Sequence, residues 1–212
     1  MIHLRIDNMN NIDNSTYERI QRVIDAAPMG KIFFLDDFAQ CGSYTSIRSQ
    51  MVRFEQKKTL IRVARGIYIR AVDIGKYSET QLVDWILESF CSHYNLLAYP
   101  TGEYLLYKSG FINELPNSIE LVYKHSYPRK INILDKYHVL IKHHSLDWLD
   151  KINSKIVQWL LIFCQTRWKK TYPVTKESAL QRLSKQITKE EFDYYRDLVP
   201  DKVVSKIYNI CF

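Results

Sequence analysis

Apolar residues at Tyr17, Ile20, Val23, Ile24 and Ala27 recur at helical spacing, and Ser15-Thr-Tyr-Glu18 ahead of them forms a capping box. The pattern predicts a helix opening at Ser15 and ended by Pro28 and Gly30. Lys31 to Phe34 reads as a short strand. Asp36 or Asp37 then opens a second short helix through Phe38 and Ala39, Gly42 closes it, and Ser43 caps a third. In that third helix Ile47, Met51 and Phe54 share one stripe, so Thr45, Arg48, Ser49, Val52 and Arg53 point the opposite way. Leu60 to Ala64 and Ile67 to Arg70 alternate about Arg65-Gly66, as a hairpin with one buried face should, and Gly66 supplies the positive φ of its tight turn. The order helix, short strand, helix, helix, hairpin is that of a winged helix-turn-helix, with the third helix as recognition helix and the hairpin as wing.

Beyond a polar connector around Gly75 and Lys76, Ser78-x-x-Gln81 starts a helix running to about Tyr94. Thr101 is expected to cap a helix through Lys108, stopped by Gly110. Three strand-like segments follow Pro116-Asn117: Ile119 to Lys124, Lys130 to Leu134 and Tyr137 to His143, with turns at Tyr127-Pro128 and Asp135-Lys136. From Asp150 onward the pattern is helical: Ile152 to Trp168, Lys176 to Gln186, a capping box at Thr188-x-x-Glu191, and a last helix after Pro200. The expected fold class is α+β, an N-terminal winged helix-turn-helix over 1–74 followed over 75–212 by a mixed α+β domain with a helical C-terminal tail from about 145.

Charge sharpens the picture. Between Ser43 and Arg70 lie seven Lys or Arg (Arg48, Arg53, Lys57, Lys58, Arg62, Arg65, Arg70) against the single acid Glu55, a surplus of six in a chain whose formal net charge is +7 over 212 residues. Apolar and charged fractions are ordinary and Gly and Pro are few, which excludes collagenous and disordered classes. Met1 to Asn14 is rich in Asn and Asp and lacks the apolar core of a signal peptide. The longest apolar run, Ile156 to Cys164, is interrupted by Gln158 and is far short of the roughly 20 apolar residues that span a bilayer. Cys41, Cys91, Cys164 and Cys211 lie far apart with no CxxC pair, which points to reduced, packed thiols and a cytoplasmic location.

Binding duplex DNA requires cations facing phosphates, small polar groups at the front of a groove-sized helix, and a clamp on the flanking backbone. The 43–70 segment offers all three. Arg48 can reach guanine O6 and N7 or a phosphate, and Ser43, Tyr44, Thr45 and Ser49 can bond base edges or backbone. Arg53 lines the groove, while Lys57, Lys58, Arg62 and Arg65, with Gly66 at the turn, suit phosphates or the adjoining minor groove. The alternative is a solvated basic face with no ligand. A second basic surface is formed by Lys124, Arg129 and Lys130 with Arg167, Lys169 and Lys170 around Trp168, either a further contact or cations answering a helix C-terminus. The histidines are scattered and no carboxylate pair or nucleophile triad stands out, so neither a metal, a cofactor nor a catalytic role is expected.

The motif order Gly30-Lys-Ile-Phe33, Asp37-Phe38, Gly42-Ser43, Ile47-Arg48, Arg53, then Leu60-x-Arg62-x-x-Arg65-Gly66-Ile-Tyr68 resembles the N-terminal winged helix of the AbiEi-like antitoxins of bacterial type IV toxin-antitoxin systems. Pro100-Thr-Gly-Glu-Tyr104, Gly110-Phe-Ile and Leu115-Pro116 are similar to the start of that family's second domain. The likeness covers roughly residues 16–143. It implies an autorepressor that binds double-stranded repeats in its own promoter and opposes a nucleotidyltransferase-like toxin without forming a stable complex with it. Repressors of repeats usually act in pairs on DNA, but no dimer seam is legible in the sequence. Family members usually place a Gly just before the wing, where this chain has Lys57-Lys58-Thr59, so that turn must be built differently. Two other classes remain open from the residues themselves: a winged-helix protein-interaction module, and a nuclease or nucleotidyltransferase whose site only folding would assemble.

Overall fold

The computed structural model of the chain describes residues 15–124, 129–144, 146 and 148–212. Met1 to Asn14, His125 and the turn expected at Tyr127-Pro128 lie outside the described residues. The fold is mixed α and β with two separate sheets. It divides into two compact units, one running to Ile86 and the other from Leu87 to Phe212. That division lies beyond the boundary expected at 74, inside helix α4 (Glu79–His93), which opens with reciprocal bonds between Ser78 and Gln81.

The first unit is built from α1 (Thr16–Ala26), β1 (Phe33–Phe34), a 3-10 helix at Leu35–Cys41, α2 (Tyr44–Gln56), the hairpin strands β2 (Leu60–Ala64) and β3 (Ile67–Arg70), and the single turn α3 (Ala71–Ile74). Ser15 accepts from the Glu18 N–H at 3.3 Å to start α1. Asp37 accepts from the Phe34 N–H at 2.8 Å, which fixes the passage from β1 into the 3-10 helix. The three strands form an antiparallel sheet in the order β1-β3-β2. Ile20, Ile24, Phe33, Phe38, Ile47, Met51, Phe54 and Leu60 bury into one core beneath it.

The second unit continues with β4 (Tyr99–Thr101), α5 (Gly102–Lys108), β5 (Ser118–Tyr123), β6 (Arg129–Ile133), β7 (Tyr137–His143), α6 (Lys155–Gln165), α7 (Lys176–Ser184), α8 (Lys189–Tyr194) and α9 (Asp201–Cys211). Its sheet runs β4-β5-β7-β6, with β5 and β7 parallel and the other pairs antiparallel. Two departures from expectation stand out. Thr101 makes no side-chain cap for α5 and instead ends an edge strand that tolerates Pro100, as only an edge can. The helices after residue 145, expected as a tail of this domain, form part of its core, because Leu160, Leu161, Leu180, Phe192, Val204 and Ile207 share one buried cluster with Leu105, Leu106 and Val122. Among the described residues, no helix is long and apolar enough to cross a membrane. The four cysteines are free thiols.

Candidate nucleic-acid interface

The core sets the rotation of α2. Ser43 Oγ accepts from the Ser46 N–H at 3.3 Å and starts the helix. Ile47, Met51 and Phe54 then sink to 3%, 1% and 0% exposure, and the Phe54 ring stacks on Tyr17 with centroids 4.5 Å apart. With that face pinned, the residues about 100° per step around the helix from it must meet solvent. Thr45, Arg48, Ser49, Val52, Arg53 and Gln56 are all exposed, a stripe along the whole helix joined at its start by Tyr44. The Arg48 guanidinium sits 5.7 Å from the Tyr44 ring centroid, and Arg53 Nη1 donates to Gln50 Oε1 at 3.3 Å. Ser43 is exposed, but its oxygen already serves the cap and lies 3.2 Å from Thr45 Oγ1.

The turn from α2 into the hairpin is built without glycine. The Thr59 N–H reaches back to the Phe54 carbonyl at 3.0 Å and the Lys58 N–H to Glu55 at 2.9 Å, the paired bonds of a Schellman cap. Lys58 therefore takes the left-handed position, at φ 55°, where a glycine would be relaxed. Lys57 Nζ donates to the Tyr17 hydroxyl at 3.1 Å and lies 4.5 Å from that ring's centroid, so Tyr17 both packs the core and orients a surface cation.

On β2 the register shifts between Arg62 and Ala64, a bulge that puts Val63 and Ala64 on the buried side together and leaves Arg62 exposed, opposite Tyr68. Arg65 is exposed at the tip, and Gly66 has φ 75°. Burial pushes the Tyr68 hydroxyl above its ordinary pKa, with Glu55 adding to the rise and the Arg62 and Arg48 guanidiniums opposing it. The Arg62 of the hairpin and the Arg48 of α2 thus both act on this one hydroxyl.

Arg70, counted with the basic cluster by sequence, belongs elsewhere. Its Nε donates to Asp73 Oδ2 at 2.8 Å and its two terminal nitrogens to the Ile24, Ala27 and Pro28 carbonyls, where it caps the C-terminus of α1. Asp73 also accepts from the Gly30 N–H at 3.0 Å and from Lys76 Nζ at 3.3 Å. Burial works to raise the Asp73 carboxyl, but the Gly30 N–H, Arg70 and Lys76 outweigh it and hold the pKa below the ordinary carboxylate value. A substituted Gly30 would fail twice over: its φ is 78°, and a Cβ there would collide with the Tyr77 hydroxyl.

Three of the six cations of the second basic set are engaged with neighbours in its own unit. Lys124 pairs with Asp150 at 2.6 Å, Arg129 lies 4.9 Å from the Tyr94 ring centroid, and Lys169 is 3.8 Å from Glu120 and 5.8 Å from the Tyr172 centroid. Lys130, Arg167 and Lys170 are exposed. Glu120 meets Lys142 at 3.0 Å as well, and Asp150 accepts from the Tyr99 hydroxyl at 2.8 Å, so these carboxylates answer cations and a phenol. Among the described residues, no three His, Cys, Asp or Glu side chains group in a way that would hold a metal ion.

Gln56 completes the stripe at the spacing of Arg48 and Ser49, a signal available from periodicity that the sequence reading left out. Val52 was read on the outward face but not as a site residue, and Tyr17 of α1 reaches Lys57 only through the fold. Residues 19–192 match the model of DUF6088, a family of unknown function. The chain belongs to that family. The match runs past His143, where the likeness to the antitoxins ends, and takes in α6, α7 and the first part of α8. No curated protein matches the chain.

Proposed function

We propose that the first unit is a winged helix that grips duplex DNA, with α2 in the major groove and the β2-β3 hairpin as its wing. The observation that carries this reading is the exposed stripe Thr45, Arg48, Ser49, Val52, Arg53 and Gln56, backed by a buried Ile47, Met51 and Phe54 and followed in the chain by exposed Lys58, Arg62 and Arg65. A helix packed on one side and carrying cations and small polar groups on the other has the diameter and chemistry a major groove admits. Arg48 then faces base edges, Ser49, Thr45 and Arg53 line the groove, and Arg62 and Arg65 hold the backbone.

The rest of the reading takes its support from the antitoxin resemblance: a cytoplasmic regulator, not an enzyme, that represses its own promoter and opposes a nucleotidyltransferase-like toxin. The test of the DNA reading is a mobility-shift titration on promoter and scrambled duplexes. Arg65→Ala weakens binding to every sequence about equally, and Arg48→Ala also relaxes preference at one base position by roughly 1–3 kcal/mol. Unchanged affinity in both variants contradicts the assignment. A neighbouring gene for a nucleotidyltransferase-like toxin, whose growth arrest the chain relieves on co-expression, tests the antitoxin half; arrest that persists contradicts it.

A further inference from the structure

Five of the six side chains along the α2 stripe are polar or charged, and the sixth is Val52, 52% exposed. A β-branched residue in the middle of a solvent-facing helix is disfavoured by a few tenths of a kcal/mol relative to the straight-chain residues usual there, and in water its two methyls gain nothing. Its surroundings are specific. Arg48 stands four residues before it, Ser49 three before and Gln56 four after, so Val52 is an apolar point ringed by hydrogen-bonding groups on one helix face.

In the major groove an aliphatic side chain has one partner of its own kind, the C5-methyl of thymine, which distinguishes T·A from the other unmodified pairs. We propose that Val52 reads a thymine methyl, and so sets one position of the sequence this protein prefers. The inference rests on the DNA reading above and adds a base identity to it. It also fixes a spacing. Four residues of helix rise by about 6 Å, and stacked base pairs by about 3.4 Å. For a helix lying along the groove, the thymine therefore falls about two base pairs from the position governed by Arg48.

The experiment begins with selection of preferred duplexes from a randomised pool by the full chain. Each thymine of the selected duplex is then replaced in turn by deoxyuridine, which removes the methyl and keeps the base pair. Anisotropy titrations compare the wild type with Val52→Ala, a change at an exposed helical position that raises helix propensity and leaves the far-UV circular dichroism intact. The expected result is one position, about two base pairs from that relaxed by Arg48→Ala, where uracil weakens the wild type about fourfold, equivalent to ~0.8 kcal/mol for one buried carbon, and leaves Val52→Ala unaffected. A selected duplex on which every uracil acts equally on both proteins, or on neither, overturns the role of Val52 and leaves DNA binding standing. A pool that yields no enriched sequence overturns sequence reading by this face altogether, and loss of self-association in Val52→Ala without any uracil effect assigns the valine to protein pairing instead.

Discussion

Replacing Asp73 by alanine tests the packing logic of the first unit. The Asp73 side chain is 2% exposed and Arg70 18%, so their contact at 2.8 Å is a buried ion pair, whereas Lys76, 48% exposed, adds little. Deleting the carboxylate strands the Gly30 N–H, a loss of about 1–3 kcal/mol, and leaves a partly buried guanidinium without its counter-charge, for which 3–5 kcal/mol is typical. Arg70 keeps the Ala27 and Pro28 carbonyls at 3.2 and 2.9 Å, which places the sum near the lower end. The expected loss is about 3 kcal/mol. Urea unfolding followed by circular dichroism gives the total, and amide exchange at Gly30 reports the site itself. The pH sign follows from the lowered carboxyl: Asp73 contributes its full share above the unfolded-state value near 3.9, loses it as pH falls through the lower folded value, and the alanine variant lacks that acid-labile part. A loss under about 1 kcal/mol with unchanged Gly30 exchange refutes the reasoning.

Other substitutions probe other links. Lys58→Gly relieves the left-handed strain at φ 55° and should stabilise by a few tenths of a kcal/mol up to about 1, measured by thermal unfolding, while removing one cation from the interface. Phe54→Ala, at 0% exposure, should cost about 3–5 kcal/mol in denaturant titration, and weaken DNA binding only through lost folding. The Cys91 thiol is pushed up to about 11 by burial and by Glu88, so its alkylation at pH 7.5 should be slow in the native chain and fast in urea; fast native alkylation, mapped by peptide mass, contradicts the packing. Charge reversal at Lys124 or Lys169, both paired to carboxylates, should shift DNA affinity less than Arg65→Ala does in the same titration.

Much of the first unit was legible because its signals are local. The Ser15 and Ser43 caps, the Ile47, Met51 and Phe54 stripe and the turn at Arg65-Gly66 each follow from residues within a few positions of one another. What escaped the sequence depends on distant partners. Arg70 and Arg65 carry the same charge five residues apart, and only the meeting of β3 with the end of α1 and with Asp73 turns Arg70 inward. Tyr99 to Thr101 contains Pro100 and is too short to show alternation, so its strand exists only by virtue of β5. Turn residues between β5, β6 and β7 marked three strands but not their order, because the parallel pairing of β5 with β7 skips β6. How the tail packs within its domain was hidden for the same reason: its cluster with Leu105 and Val122 closes over a long stretch of sequence that no local pattern records.

The salt dependence of binding to duplex DNA tests the central claim most directly. Arg53, Lys57, Lys58, Arg62 and Arg65 are all exposed, and if the proposed face meets DNA with all five, about five phosphates are neutralised and the log–log slope of affinity against salt should lie near −4.5. It should become shallower by about 0.9 in Arg65→Ala. A slope shallower than about −1, or a slope unchanged by Arg65→Ala, would mean that this face does not meet the phosphate backbone.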